Sequence, residues 1–145
     1  MFETGKRLTI IVPYRDRESQ LRNWLPYLRL YFARDKIDRH IEVRFLVVEQ
    51  ANDLPFNRGR LLNIGFVLAE ESSDYVCFHD VDYMPLWADY SYSAQPTRII
   101  WYGADIKPID PASNVRVQEH EESFFGAVVL FPNERFRQVN GFSNT

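Results

Sequence analysis

The first strongly patterned stretch of the chain is an unbroken apolar run, "RLTIIVPY" (7–14), with Pro13 near its end. A short continuous run of this kind predicts a buried strand, and the proline marks the strand end. Apolar residues return at Leu21, Trp24, Leu25, Leu28 and Phe32, the spacing of one helix face. Pro26 falls inside that pattern and predicts a kink or a division of the helix. "IEVRFLVVEQ" (41–50) predicts a second strand rich in β-branched residues, "ANDLPFNRG" a loop, and Leu61, Leu62, Gly65, Phe66 and Ala69 a second helix running to about Glu71. "YVCFH" predicts a third strand. Strand, helix, strand, helix, strand is the signature of an α/β domain with a mainly parallel sheet flanked by helices. The second half is less regular. "RIIWYG" and "SFFGAVVLF" read as strands, and "DIKPIDPASNVRVQEHEES" as a long loop or ribbon. "PNERFRQVNG" reads as a short helix with Pro132 near its start and Gly141 past its end.

In parallel sheets ligands collect beyond the carboxyl ends of the strands. Three polar clusters fall at those ends: "PYRDR", the loop with "FNR", and "HDVD". Residues i and i+2 of an extended segment point to one side, so Asp80 and Asp82 are expected to present two carboxylates together while Val81 turns away. Such groups resist burial unless paired or bound to a metal, and hard cations such as Mg²⁺ and Mn²⁺ favour an oxygen-rich site shared with phosphate. A metal there would neutralise a diphosphate leaving group. Arg15 and Arg17 share the i, i+2 spacing, and a guanidinium fork suits phosphate or a base edge; the alternative is a solvated surface pair. Phe56 and Arg58 precede a helix and could stack a base and hold an anion. The alternative makes Phe56 a core anchor and Asn57 a helix cap.

Composition narrows the classes. The chain has 145 residues, 46% hydrophobic and 26% charged, which suits one globular domain. A net charge of −3 argues against a general nucleic-acid binder. The single cysteine, Cys77, lies in an apolar run, reads as a small core residue, and gives no sign of an oxidising compartment. The N-terminus has too short an apolar run for a signal peptide or membrane span. The expectation is a cytoplasmic protein, although a domain excised from a membrane-anchored, lumenal Golgi-type enzyme would show the same pattern.

Together, "IIVPYRDR", "FNRGRLLNIGF", "DYVCFHDVDYMPL", "FFGAVVLF" and "NGFSN" occur in the order and spacing of the β-1,4-galactosyltransferases, glycosyltransferase family 7, which the chain resembles from about Leu8 to Asn144. The "HDVD" form is similar to that of the xylosylprotein β-1,4-galactosyltransferase branch. The resemblance implies a GT-A (nucleotide-diphospho-sugar transferase) fold over a single domain, 1–145. It also implies Mn²⁺, a UDP-sugar donor such as UDP-galactose, a carbohydrate acceptor, and inversion at the anomeric carbon. By the same resemblance Pro13, Arg15 and Arg17 line the uridine–diphosphate site and Phe56 and Arg58 contact the nucleotide. Asp82 coordinates the metal, Asp80 and Val81 lie close to the ribose and diphosphate, and Gly126 allows close approach of the donor.

The chain departs from the family pattern in three places. Ala127 stands where the family commonly has a second glycine, which implies a tighter donor pocket. Phe124 replaces a frequent tyrosine that helps select the sugar, leaving galactose, N-acetylgalactosamine and glucose open. The sequence ends at Thr145, ahead of the family's "WGWGxED" segment with its acceptor site and catalytic carboxylate. A C-terminally truncated fold is therefore expected, with the base beyond the chain end, no catalytic residue assigned, and weak donor binding without transfer. Glu119, Glu121 and Glu122 are the conceivable substitutes for the base, and Trp101, Phe124 and Phe131 are expected to be partly exposed. His79 reads as core or as a support for the metal site, and it shows no metal-ligand spacing with His40 or His120. Two other readings stand beside the transferase: a metal-dependent phosphohydrolase, which lacks a convincing nucleophile, and a non-catalytic sugar-nucleotide or protein-binding module.

Overall fold

Leu8, Thr9, Ile10, Ile11 and Val12 are buried at every position, so their strand needs cover on both faces. A computed structural model describes residues 5–34, 41–85, 88–99, 102–104, 117–119 and 127–143. In it β1 (Lys6–Tyr14) pairs in parallel with β2 (Ile41–Glu49) on one side and β3 (Tyr75–His79) on the other. Beyond β3, the antiparallel strands β7 (Val128–Pro132) and β4 (Thr97–Arg98) complete the order β2-β1-β3-β7-β4. A separate antiparallel pair joins β5 (Tyr102–Ala104) to β6 (Val117–Glu119).

Alternate residues of the central strands feed two cores. Leu8, Ile10, Val12, Tyr75 and Cys77 meet Trp24, Leu28 and Tyr31 of α1 (Glu18–Arg34). Ile11, Val76 and Phe78, on the opposite face, meet Leu61, Leu62 and Phe66 of α2 (Arg58–Ala69) and Phe136 of α3 (Asn133–Gln138). The chain thus leaves β1 for one face, returns to β2, crosses to the other face, and comes back to β3 beside β1. That reversal opens a crevice at the carboxyl ends of β1 and β3.

The predicted first-half elements are all present, with one correction. Pro26 does not divide α1, which is a single helix from Glu18 to Arg34. Proline there removes one helical hydrogen bond, and Trp24 and Leu28, fully buried on either side, hold the helix against the sheet. The expected "RIIWYG" strand resolves into β4 ending at Arg98 and β5 starting at Tyr102. "SFFGAVVLF" contributes a strand only from Val128, and residues 123–126 of that stretch lie outside the described residues. Phe131, expected to be exposed, is buried; Trp101, Phe124, His40 and His120 lie outside the described residues.

Candidate functional site

Beyond Tyr14 the backbone reverses through Asp16, which takes a left-handed conformation at φ 52°. Arg15 and Arg17, on either side of it, have different surroundings. Arg15 Nη1 donates to the carbonyls of Asn52 (3.2 Å) and Leu54 (2.5 Å), and its guanidinium lies 5.5 Å from the centre of the Phe56 ring. Arg17 is exposed. Phe56 is 44% exposed, so it is no core anchor; its ring stands as a wall backed by Arg15. Asn57 is the helix cap, its Oδ1 accepting from the Arg60 amide at 2.9 Å.

β3 ends at His79, a fully buried residue. Its Nδ1–H donates to the Asp80 carbonyl at 2.8 Å and its Nε2 accepts from the Tyr90 hydroxyl at 2.9 Å. Burial lowers its pKa to about 4, so the ring is neutral and belongs to the core. The Asp80 amide donates to the Ala127 carbonyl (2.9 Å), and the Tyr83 amide to the Asp80 carbonyl (3.4 Å). Residues 80–83 therefore form a turn, and the two aspartates do not project side by side from an extended segment as expected. Val81 is buried and belongs to the core, and it also lines the same groove as the two aspartates.

The turn makes the carboxylates unequal. Asp80 accepts from Arg58 Nε at 2.7 Å and is mostly buried; burial raises its pKa against the opposing pull of Arg58. Asp82 is exposed and forms no hydrogen bond or ion pair among the described residues. Arg58 Nη2 is buried without a hydrogen-bond partner among the described residues. A buried guanidinium nitrogen left unpaired is costly, and an anionic oxygen is its natural complement.

Arg15, Arg17, Phe56, Arg58, Asp80 and Asp82 line one groove of about 390 Å³. Eight of the nine residues expected at a donor site are on its wall: Pro13, Arg15 and Arg17 after β1, Phe56 and Arg58 at the start of α2, and Asp80, Val81 and Asp82 after β3. The ninth, Gly126, lies outside the described residues. Asp16 also lines the groove and was not foreseen. Ala127 does not line it. This residue is buried in the core at φ 60°, so its methyl does not tighten the groove as expected.

Two supports escaped the sequence reading. Gln50 shapes the loop, with Oε1 accepting from the Asn57 amide (2.9 Å) and Nε2 donating to the carbonyls of Leu54 (3.0 Å) and Pro55 (3.2 Å). Tyr27 of α1 donates to the carbonyl of Pro85. The only signal for Tyr27 was its place three residues after Trp24, on the same helix face.

No three candidate metal ligands cluster among the described residues. An exposed carboxylate at Asp82, facing a groove with an unpaired guanidinium nitrogen, nevertheless fits a hard cation that takes most of its ligands from water and phosphate. No helix among the described residues is long and apolar enough to cross a membrane.

Comparison with known proteins follows the same lines. Residues 3–95 match the family model for the N-terminal region of glycosyl transferase group 7. Residues 109–145 match that for the N-terminal domain of galactosyltransferase. The chain is 31% identical to beta-1,4-galactosyltransferase 7 of Drosophila melanogaster, covering 95% of this chain and 39% of that protein. It is 28% identical to xylosylprotein 4-beta-galactosyltransferase of Caenorhabditis elegans, covering 95% of this chain and 44% of that protein. A crystal structure of a Drosophila beta-1,4-galactosyltransferase 7 variant, in complex with manganese, UDP-Gal and xylobiose, superposes with a TM-score of 0.77 at 29% identity. The match covers 96% of this chain and 54% of the crystallised one. The chain therefore spans less than two thirds of the relatives it matches, and with their N-terminal family model covering most of its length it belongs to glycosyl transferase group 7.

Proposed function

We propose that the groove binds the diphosphate and base of a UDP-sugar together with Mn²⁺, and that the chain is the donor-binding part of a metal-dependent, inverting β-1,4-galactosyltransferase. The observation that carries this reading is the buried, unpaired Nη2 of Arg58 in a groove that the exposed Asp82 also lines. Arg58 would hold a phosphate oxygen while Asp80 orients its guanidinium through Nε. Phe56 would stack on the uracil, with Arg15 holding the ring and its loop in place. Pro13 and Val81 would shape the apolar floor, and Arg17 would lie near the outer phosphate. Asp82 would be the protein's metal ligand, and bound Mn²⁺ supplies Lewis-acid neutralisation of the diphosphate. The relatives' donor and acceptor, UDP-Gal and xylobiose, suggest UDP-galactose and a xylose-ended carbohydrate as the substrates. A single domain, 1–145, is the unit proposed to carry the nucleotide and metal half of the reaction.

The test is calorimetry with UDP in the presence and absence of Mn²⁺. Asp82→Ala is expected to remove the affinity gained from Mn²⁺, whereas Glu71→Ala, an exposed acidic control at the end of α2, is expected to retain it. Equal Mn²⁺-dependent affinity in wild type and Asp82→Ala would refute the assignment.

A further inference from the structure

Trp24, Tyr27 and Tyr31 occupy positions i, i+3 and i+7 of α1, so their side chains share one face. All three aromatic tips reach the segment that follows Asp82. Trp24 Nε1–H donates to the Tyr83 carbonyl at 2.9 Å, and the Tyr27 hydroxyl donates to the Pro85 carbonyl at 2.5 Å. The Tyr31 hydroxyl donates to the Ala88 carbonyl at 2.9 Å and accepts from the Ala88 amide at 3.0 Å.

This segment has no helix or strand ladder of its own over its described residues 83–85 and 88. The carbonyls of Tyr83, Pro85 and Ala88 and the Ala88 amide are satisfied by side chains of α1, in the place of a neighbouring strand. An apolar face of Leu and Phe would bury comparable area but would not fix three carbonyls in register. The segment's start is held as well, because Trp24 lies edge-on to His79 at 5.0 Å, and His79 Nδ1 bonds the Asp80 carbonyl. Asp82 sits between these anchors, exposed, on a turn whose course they set.

We infer that the polar aromatic face of α1 is a positioning device for Asp82, and hence for the metal side of the groove. This rests on the nucleotide-and-metal reading above. The residues act through the backbone of Tyr83, Pro85 and Ala88 and touch no ligand. The arginine and phenylalanine wall stands on other elements, the β1 turn and the start of α2, and the hydrogen bond from Tyr27 goes to Pro85, which is not among the groove-lining residues.

The test separates the two sides of the groove. UDP affinity is measured with and without Mn²⁺ for wild type and for Tyr27→Phe, which keeps the ring and loses only the donor. Amide hydrogen exchange over 83–92 is followed in parallel. The gain in affinity produced by Mn²⁺ is expected to fall about 2- to 10-fold in Tyr27→Phe, the range set by one neutral hydrogen bond. Metal-free UDP affinity is expected to stay unchanged, and exchange over 83–92 to quicken. An undiminished Mn²⁺ gain in Tyr27→Phe, with or without faster exchange, would leave the hydroxyl a merely structural group and overturn the inference. Absence of any Mn²⁺ gain in wild type would instead remove the functional reading, and this inference with it.

Discussion

At Arg58 one guanidinium meets two demands: Nε is bound to Asp80, and Nη2 is buried with nothing to bind among the described residues. Residue type and spacing made Asp80, Asp82 and Arg58 legible in the sequence as site candidates, because charged groups at the end of a buried strand need a reason to be there. Their division of labour was not legible. It depends on the turn at 80–83, which places Asp80 against α2 and leaves Asp82 in solvent, and no local pattern in "HDVD" announces that turn. His79 shows the same limit. Its neutral state follows from complete burial against Trp24 of α1 and the Tyr90 ring, neither of which is next to it in the chain, and burial outweighs the opposing hydrogen bond to the Asp80 carbonyl. A measurable pH dependence results. The folded pKa of about 4 lies below the ordinary 6.5, so the unfolded chain binds the proton more tightly. Stability is therefore full above pH 6.5 and falls progressively as pH drops from 6.5 towards 4. The other nearby shifts do not imitate this. Asp74, held low by its hydrogen bond to Arg7, costs stability only near and below the ordinary carboxylate range, and Asp80, raised by burial, gains on acidification. Urea unfolding without metal is expected to show a loss of about 2 kcal/mol between pH 7.5 and pH 5 for wild type. The loss should be nearly absent in His79→Gln; a variant with the same loss as wild type would assign it to another group.

Helix α2 shows how an element carries a site. Its buried face is Leu61, Leu62, Gly65, Phe66 and Ala69, the same five residues that the helical spacing picks out in the sequence. Burial of that face on β1 and β2 fixes the axis, and the axis fixes where Arg58 emerges at the first turn. Gly65 is the point of closest approach: a Cβ built there would collide with Ile11 Cγ2 and lie 3.1 Å from Val48 Cγ2. The helix can reach this depth only without a side chain. Gly65→Ala would gain helix propensity, worth about 1 kcal/mol, yet force the helix off the sheet. Overpacking of a well-filled core typically costs about 1–3 kcal/mol, so the net effect is expected to be destabilising. The urea midpoint should fall with an unchanged slope, and a midpoint equal to or above that of wild type would show that α2 tolerates the shift. α1 teaches the converse. Pro26 predicted a break by a local rule, and the uninterrupted helix is a tertiary effect, since Trp24 and Leu28 are fully buried on either side of the proline. The second half of the chain was less legible for a related reason: β7 and β4 extend the sheet by antiparallel pairing to non-local partners, which leaves only short apolar runs as a trace.

At the scale of the whole molecule, the groove has no element of its own. Its walls are the ends of β1 and β3 and the start of α2; the two strands supply buried residues to both hydrophobic cores, and all three elements together supply most of the core under α2. A ligand held there is tied to the central strands, so the groove cannot open fully without disturbing the cooperative unit. Binding should therefore stabilise global unfolding by mass action, not merely quiet a loop. At a free ligand concentration about 100 times Kd the gain is about 2.7 kcal/mol. For a domain of this length each kcal/mol raises Tm by about 2–4 °C, so UDP with Mn²⁺ is expected to raise the unfolding midpoint by about 5–10 °C. Asp82→Ala should retain only the part of that rise seen with UDP alone, because it removes the proposed metal ligand and leaves the Phe56 and Arg58 wall standing. Differential scanning calorimetry with UDP, with Mn²⁺ and with both measures each share. Calorimetry could also show saturable UDP binding by heat without any rise in Tm. That would place the binding site on a segment that unfolds separately, and would contradict a groove built from the central strands.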